Sequence, residues 1–218
     1  HIFSQIRQNN KTLFKDSRNI DGTIFKKRPA GLAYLTQAVF KYRLPRSNQE
    51  RGKPMEVVLI CGRDAAEEDR FSAAFQSEMT RLLSKHDPFK KFGGLCVITS
   101  RQCISPGNPI IIFCGRPQSK PAGGKIAILE EDNLEAAALL SEMGIESIPC
   151  GMSDKNTLTI SSSDLDQIQV CLQRSVTSLD GQSIDPAEYP FEAGEESGFP
   201  FLAAAATYIL ALGPNWFK

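Results

Sequence analysis

Residues 126–150 read IAILEEDNLEAAALLSEMGIESIPC, and how this stretch divides decides the fold. Ile126–Leu129 is an apolar run too short for a buried helix and is read as a strand buried on both faces. The acids Glu130, Glu131 and Asp132 end the run, and a helix is expected at about 133–143 with Asp132 or Asn133 as its N-cap. A short strand at Ser147–Cys150 closes the unit. Strand, helix and strand in that order point to parallel pairing, with the helix packed on the sheet.

The same alternation extends upstream. Glu56–Cys61 is a short β-branched run ended by Gly62, and the segment at 67–86 places Phe71, Ala74, Phe75, Met79, Leu82 and Leu83 on one helical face with acids in its first turn. Strands are expected at Leu95–Thr99 and Ile110–Cys114. Downstream of Gly151 the period becomes two: Leu158 and Ile160 alternate with Thr157, Thr159 and Ser161, and Ile168, Val170 and Leu172 alternate with Gln and Cys. Asp180-Gly181 is a turn signal, so 168–192 is expected to hold at least one hairpin, and an apolar helix follows at about 199–212. The expected architecture is α/β: a three-layer, Rossmann-like, mostly parallel sheet with helices on both faces and a small antiparallel β section near the C-terminus. It occupies residues 55–218. Residues 1–54 form a separate region: a basic arm with apolar pairs at Ile2-Phe3, Leu13-Phe14 and Ile24-Phe25, a helix at about 30–43 ended by Pro45, and a linker at 43–54.

Composition narrows the function classes. With 41% hydrophobic and 23% charged residues the chain has the make-up of a globular protein. Its zero net charge conceals a division: residues 1–54 carry twelve Lys or Arg against Asp16, Asp21 and Glu50, near +9, which leaves the remainder near −9. Such a basic region suits contact with a protein partner or a membrane surface. Nucleic acid is disfavoured, because the region has few aromatics and no recognition motif. The six cysteines lie mostly inside apolar runs such as VVLIC and IIIFC and are read as reduced core thiols of a cytoplasmic protein. The only histidines are His1 and His86, a poor basis for a metal centre. No secretory signal is visible in IFSQIRQNNKTLFK, and the longest apolar run, residues 199–213, falls short of a membrane span.

The familiar catalytic patterns fail one by one. The loop after the first long strand, CGRDAAEEDRF, carries Asp64, Glu67, Glu68 and Asp69, which suit a helix N-terminus and repel a phosphate there. SKPAGGKI at 119–126 has Ser119 in place of the first P-loop glycine, Ile126 in place of the magnesium-binding hydroxyl, and a strand following it, so it is read as a surface connection. Gly151-Met152-Ser153 does not complete a nucleophile elbow, since Lys155 occupies the last position. No catalytic residue is assigned. What remains is the turn Glu130, Glu131, Asp132, Asn133 at the end of a parallel strand, where ligands of such sheets bind.

Taken in order, GGKIAILEEDN, IESIPCGMS, the alternating segment from Thr157 to Glu192 and FLAAAATYILALG resemble the later part of the central domain of Mur ligases, over about residues 124–213. In that family a strand ends in an Asn-x-Asp-Asp turn that contacts the adenine of ATP, and an Ala-rich helix closes the domain. Here Asp132 matches the first Asp of the turn, while Glu130 replaces the Asn and Asn133 the second Asp. The Gly-Thr-x-Gly-Lys-Thr loop that holds the ATP phosphates is missing from the chain, and the His-Asn pattern before the Ala-rich helix is replaced by EESGFP. The resemblance therefore implies a shortened, non-catalytic module of a bacterial cytoplasm that binds a nucleotide, a cell-wall precursor or a protein partner. Its alternative is a divergent enzyme that uses the turn 130–133 with a divalent cation. ATP and a cation are the cofactors the resemblance suggests, without a phosphate-binding motif to support them.

Overall fold

The computed structural model describes residues 39–41, 55–60, 65–99, 110–117, 120–121, 123–194 and 198–215. Nine strands form one sheet: β1 Val39–Lys41, β2 Met55–Ile60, β3 Leu95–Thr99, β4 Ile110–Phe113, β5 Ile126–Glu130, β6 Glu146–Gly151, β7 Leu158–Ser163, β8 Gln167–Leu172 and β11 Ala187–Glu192. Their spatial order is β1-β3-β2-β4-β5-β6-β7-β8-β11. The six from β3 to β7 in that order are parallel, with β1 antiparallel on one flank and β8 and β11 antiparallel on the other. The chain places β3 on one side of β2 and β4 on the other, so the order reverses between β2 and β4. That reversal is the topological switch of doubly wound sheets.

The alternation of side chains splits the all-apolar strands between two cores. All four residues of β4 are buried. Ile110 and Ile112, with Ile126 and Ile128 of β5, enter the larger core, whereas Ile111, Phe113, Ala127 and Leu129 enter the smaller one. Two helices cover the first face: α1 Ala65–Lys85, through Phe71, Phe75, Met79, Leu82 and Leu83, and α3 Phe199–Leu212. The third, α2 Leu134–Met143, covers the second face through Ala136 and Leu140. Burying each large side chain such as Phe75 or Ile112 contributes roughly 1.5–3 kcal/mol.

Local chemistry sets the ends of these elements. Glu67 and Glu68 in the first turn of α1 and Lys85 in its last complement the helix dipole. Asp87 then accepts a hydrogen bond from the backbone N–H of Phe89 and opens a short 3-10 turn at Pro88–Phe92. Gly144, at φ +65°, closes α2 in the left-handed conformation that glycine adopts freely. The run Ala203–Ala206 is buried in α3, and these small side chains let the helix lie close on β5, β6 and β7. Thr207, also fully buried there, donates its hydroxyl hydrogen to the Ala203 carbonyl at 2.7 Å.

The antiparallel section consists of β7, β8 and β11, with the two-stranded hairpin β9 Val176–Thr177 and β10 Ser183–Ile184 inserted between β8 and β11. The expected Asp180-Gly181 turn closes this small hairpin, and Gly181 adopts φ +83°. The expected helix at 30–43 meets a difference, since Val39–Lys41 are a strand paired with Cys96–Ile98. Val39 and Phe40 favour a sheet edge once a partner is available, and tertiary pairing overrides a short helical pattern. The linker at 43–54 and the rest of that expected helix lie outside the described residues.

Candidate functional site

The parallel strands all end at one edge of the sheet, and the turn after β5 lies there. The backbone continues the ladder one residue further, with Glu131 N–H donating to the Cys150 carbonyl of β6 at 3.0 Å. The chain then turns tightly: Asn133 N–H donates to the Glu130 carbonyl at 3.0 Å and Leu134 N–H to the Asp132 carbonyl at 2.9 Å.

The four residues of this turn have separate tasks. Asn133, 8% exposed, is the N-cap of α2; its Oδ1 accepts from Ala136 N–H at 3.1 Å and its Nδ2 donates to the Gly115 carbonyl at 2.9 Å. It thereby fastens the exit of β4 to the start of α2. Glu131 turns the other way, toward the loop after β6. Its carboxylate accepts from Asn156 Nδ2 at 2.5 Å, from Ser153 N–H at 3.3 Å and from the backbone of Met152. These bonds, that of Asn156 foremost, hold the Glu131 carboxyl below the usual carboxylate range. Gly151 makes the approach feasible, since a Cβ there would lie 2.5 Å from Glu131 Oε2 and 2.8 Å from Asn156 Nδ2.

Glu130 and Asp132 are left exposed at the rim. Partial burial pushes the Glu130 carboxyl up, and the charges of Asp132, Glu131 and Glu67 add to the effect. Glu67 sits in the first turn of α1, so two elements contribute acids to one edge. Among the described residues, no group of three His, Cys, Asp or Glu side chains is arranged to hold a metal ion. Two large apolar side chains flank the acids: Leu134 at 74% exposure and Met152 at 67%. Arg116, just after β4, pairs with Glu135 at 3.4 Å on the surface.

Other segments weighed from the sequence have structural roles. Lys120 of the glycine-containing connection pairs with Glu142 at 2.9 Å, and the chain runs from there directly into β5 without a helix N-terminus. His86 follows α1, and its carbonyl accepts the Tyr208 hydroxyl at 3.2 Å. Of the acids in CGRDAAEEDRF, Glu68 is buried and Glu67 and Asp69 are exposed, while Cys61–Asp64 lie outside the described residues. Cys96 and Cys150 are buried and Cys114 and Cys171 half-buried; burial raises the Cys150 thiol far above its ordinary value.

Sequence reasoning therefore located the turn and missed its anchor. Gly151, Ser153, Asn156 and Gly115 come from strand ends 18 to 25 residues away from their partners. The available signal was GMSDKN, a small and polar loop that directly follows a predicted strand.

The sheet order and the two-sided helical cover define a doubly wound α/β protein, and the anchored acidic turn stands at the carboxyl edge of its sheet. No protein-family model and no curated protein matches the sequence. No helix among the described residues is long and apolar enough to cross a membrane.

Proposed function

We propose that the chain is a non-catalytic, Mur-ligase-like module that binds a nucleotide through the turn Glu130–Asn133. The observation that carries this reading is the anchoring of Glu131 by Asn156 and the loop after β6, because it leaves Glu130 and Asp132 facing outward from a fixed backbone. Exposed carboxylates on a fixed backbone are acceptors for the ring and exocyclic N–H groups of a nucleobase, and the exposed Leu134 and Met152 offer apolar surface for its faces. The sequence has no phosphate-cradling loop of the G-x-x-x-x-G-K-[ST] type, so the nucleotide is held by its base and its phosphates gain little. A ligase reaction, which needs an activated carboxylate, has no assigned residues in this reading.

Calorimetric titration with Mg-ATP, with adenosine and with a UDP-linked muramyl precursor tests it. Micromolar binding of ATP, adenosine within about tenfold of it, and a loss of tenfold or more in Asp132→Asn would support the base-held nucleotide. Binding of the muramyl precursor alone would move the ligand to a cell-wall intermediate. Absence of heat from all three would sink the ligand reading in favour of a protein scaffold.

A further inference from the structure

Residues 174–186 leave the sheet and return to it at one point, above a gap in its packing. From this we infer that the hairpin β9–β10 is a flap that opens as a unit and uncovers an apolar chamber. Its base is fixed, since Leu172 pairs with Ala187 and Gln173 N–H donates to the Thr157 carbonyl at 2.8 Å. The segment between these points makes strand pairs only within itself, Val176 with Ile184 and Thr177 with Ser183. It can therefore swing without breaking a ladder bond of the nine-stranded sheet. Its stems, Arg174-Ser175 and Asp185-Pro186, are exposed, as hinge positions require. A two-stranded hairpin of this size has little stability of its own, so its place depends on what it rests on.

The hairpin rests on an incomplete edge. β7 pairs with β6 at Cys150–Leu158 and Gly151–Thr159, so that ladder stops short of Glu146–Ile148. The hairpin lies beside this half of β6 and is joined to it through a side chain, with Thr177 N–H donating to the Glu146 carboxylate at 3.1 Å. Its inner side chains, Val176 and Ile184, are buried against the larger core. The fit still leaves a cavity of about 10 Å³ between Val176, Ile148 and Leu158 on one side and Ala206 and Ile209 of α3 on the other. The lining is wholly apolar, so a water finds no partner there, and the missing contacts loosen the hold on the hairpin. On the outside, Leu179 N–H donates to the Leu210 carbonyl at 3.0 Å, and Lys91 pairs with Asp180 at 2.8 Å. The side chains of that pair are 43% and 33% exposed, and an ion pair so open to water holds weakly.

The flap involves no residue of the turn 130–133 and stands apart from the nucleotide reading. Native-state hydrogen exchange of the full chain, followed by NMR at urea concentrations below the unfolding transition, reads it directly. The amides of Ser178, Leu179, Gly181 and Gln182 are all bonded in the closed form, to the carbonyls of Gln182, Leu210 and Ser178 and to the Ser178 hydroxyl. They should exchange through one shared opening, about tenfold or more faster than the ladder amides of β8 and β11. Their urea dependence should be weaker than that of the ladder but above zero, because opening exposes the chamber and not the whole core. The variant Ile111→Val, in the smaller core away from the hairpin, separates the two processes. It should speed the ladder amides by about two- to tenfold and leave the four hairpin amides unchanged. If the hairpin amides speed up with the ladder, the hairpin leaves only when the molecule unfolds, and the flap does not exist. Four unrelated rates, or a shared rate without urea dependence, would overturn it as well, since each describes fraying that uncovers nothing.

Discussion

Glu131 and Glu130 are neighbours in sequence with opposite electrostatic fates, and each difference is measurable. The Glu131 carboxyl is held low by Asn156 and two backbone N–H groups, so its clasp on the β6–β7 loop is complete above the ordinary carboxylate value and is lost as pH falls through the lowered folded value. An NMR titration following the Asn156 side-chain amide should therefore show its midpoint below 4.5. Glu130 has its carboxyl raised by burial and by neighbouring acids, so above that raised value the folded state bears an ionised group it disfavours. Glu130→Gln should stabilise the protein at pH 7 by a few tenths to about 1 kcal/mol, with the gain gone below the ordinary carboxylate value; urea unfolding at both pH values checks this. Gly151→Ala places a methyl group on the Glu131 carboxylate. The carboxylate end can rotate away, so the expected outcome is a folded protein, weakened by about 1 kcal/mol, in which the Asn156 amide titration has disappeared.

At the level of elements, the start of α2 is legible in the sequence and its partner strand is not. NLEAA after a strand announces a helix with an Asx N-cap, and Asn133 fills that role. That the same side chain also bonds Gly115 depends on β4 lying beside β5, which no local pattern states. The two tasks can be separated. Asn133→Asp keeps the cap acceptor and loses the donor to Gly115, whereas Asn133→Ala loses both. Denaturation midpoints should rank wild type above the Asp variant and the Asp variant above the Ala variant, with the Ala variant down by about 1–2 kcal/mol. The strand at Val39–Lys41 shows the opposite limit. Three residues with some helical spacing become an edge strand because β3 offers an unpaired ladder, and an isolated reading of 30–43 contains no information about that.

For the molecule as a whole, Arg81 of α1 ties the doubly wound part to the antiparallel section, pairing with Glu78 of its own helix and bonding the end of β11. Glu78 of α1, 3% exposed, receives Arg81 Nη2 at 2.6 Å and Nε at 2.9 Å, while Arg81 Nη1 donates to the Glu192 carbonyl at the end of β11 at 2.8 Å. The guanidinium also lies 5.9 Å from the Phe201 ring centroid in α3, and Lys85 pairs with the Glu192 carboxylate on the surface. Removing the cation leaves the Glu78 carboxylate without its charge partner, so Arg81→Met should cost about 1.5–3 kcal/mol in urea unfolding. Adding Glu78→Met should recover most of that loss, because the paired apolar side chains no longer desolvate a lone charge. The sequence by itself determined the class of fold, the strands and helices from Met55 onward and the place of the acidic turn, because apolar period, turn residues and helix caps act over a few residues. Tertiary structure alone decided which acid of the turn is anchored and which face outward, since that rests on Gly151, Ser153 and Asn156 arriving beside Glu131 through the pairing of β5 with β6. Contacts of that kind are made between chain segments some twenty residues apart, and no local periodicity encodes them.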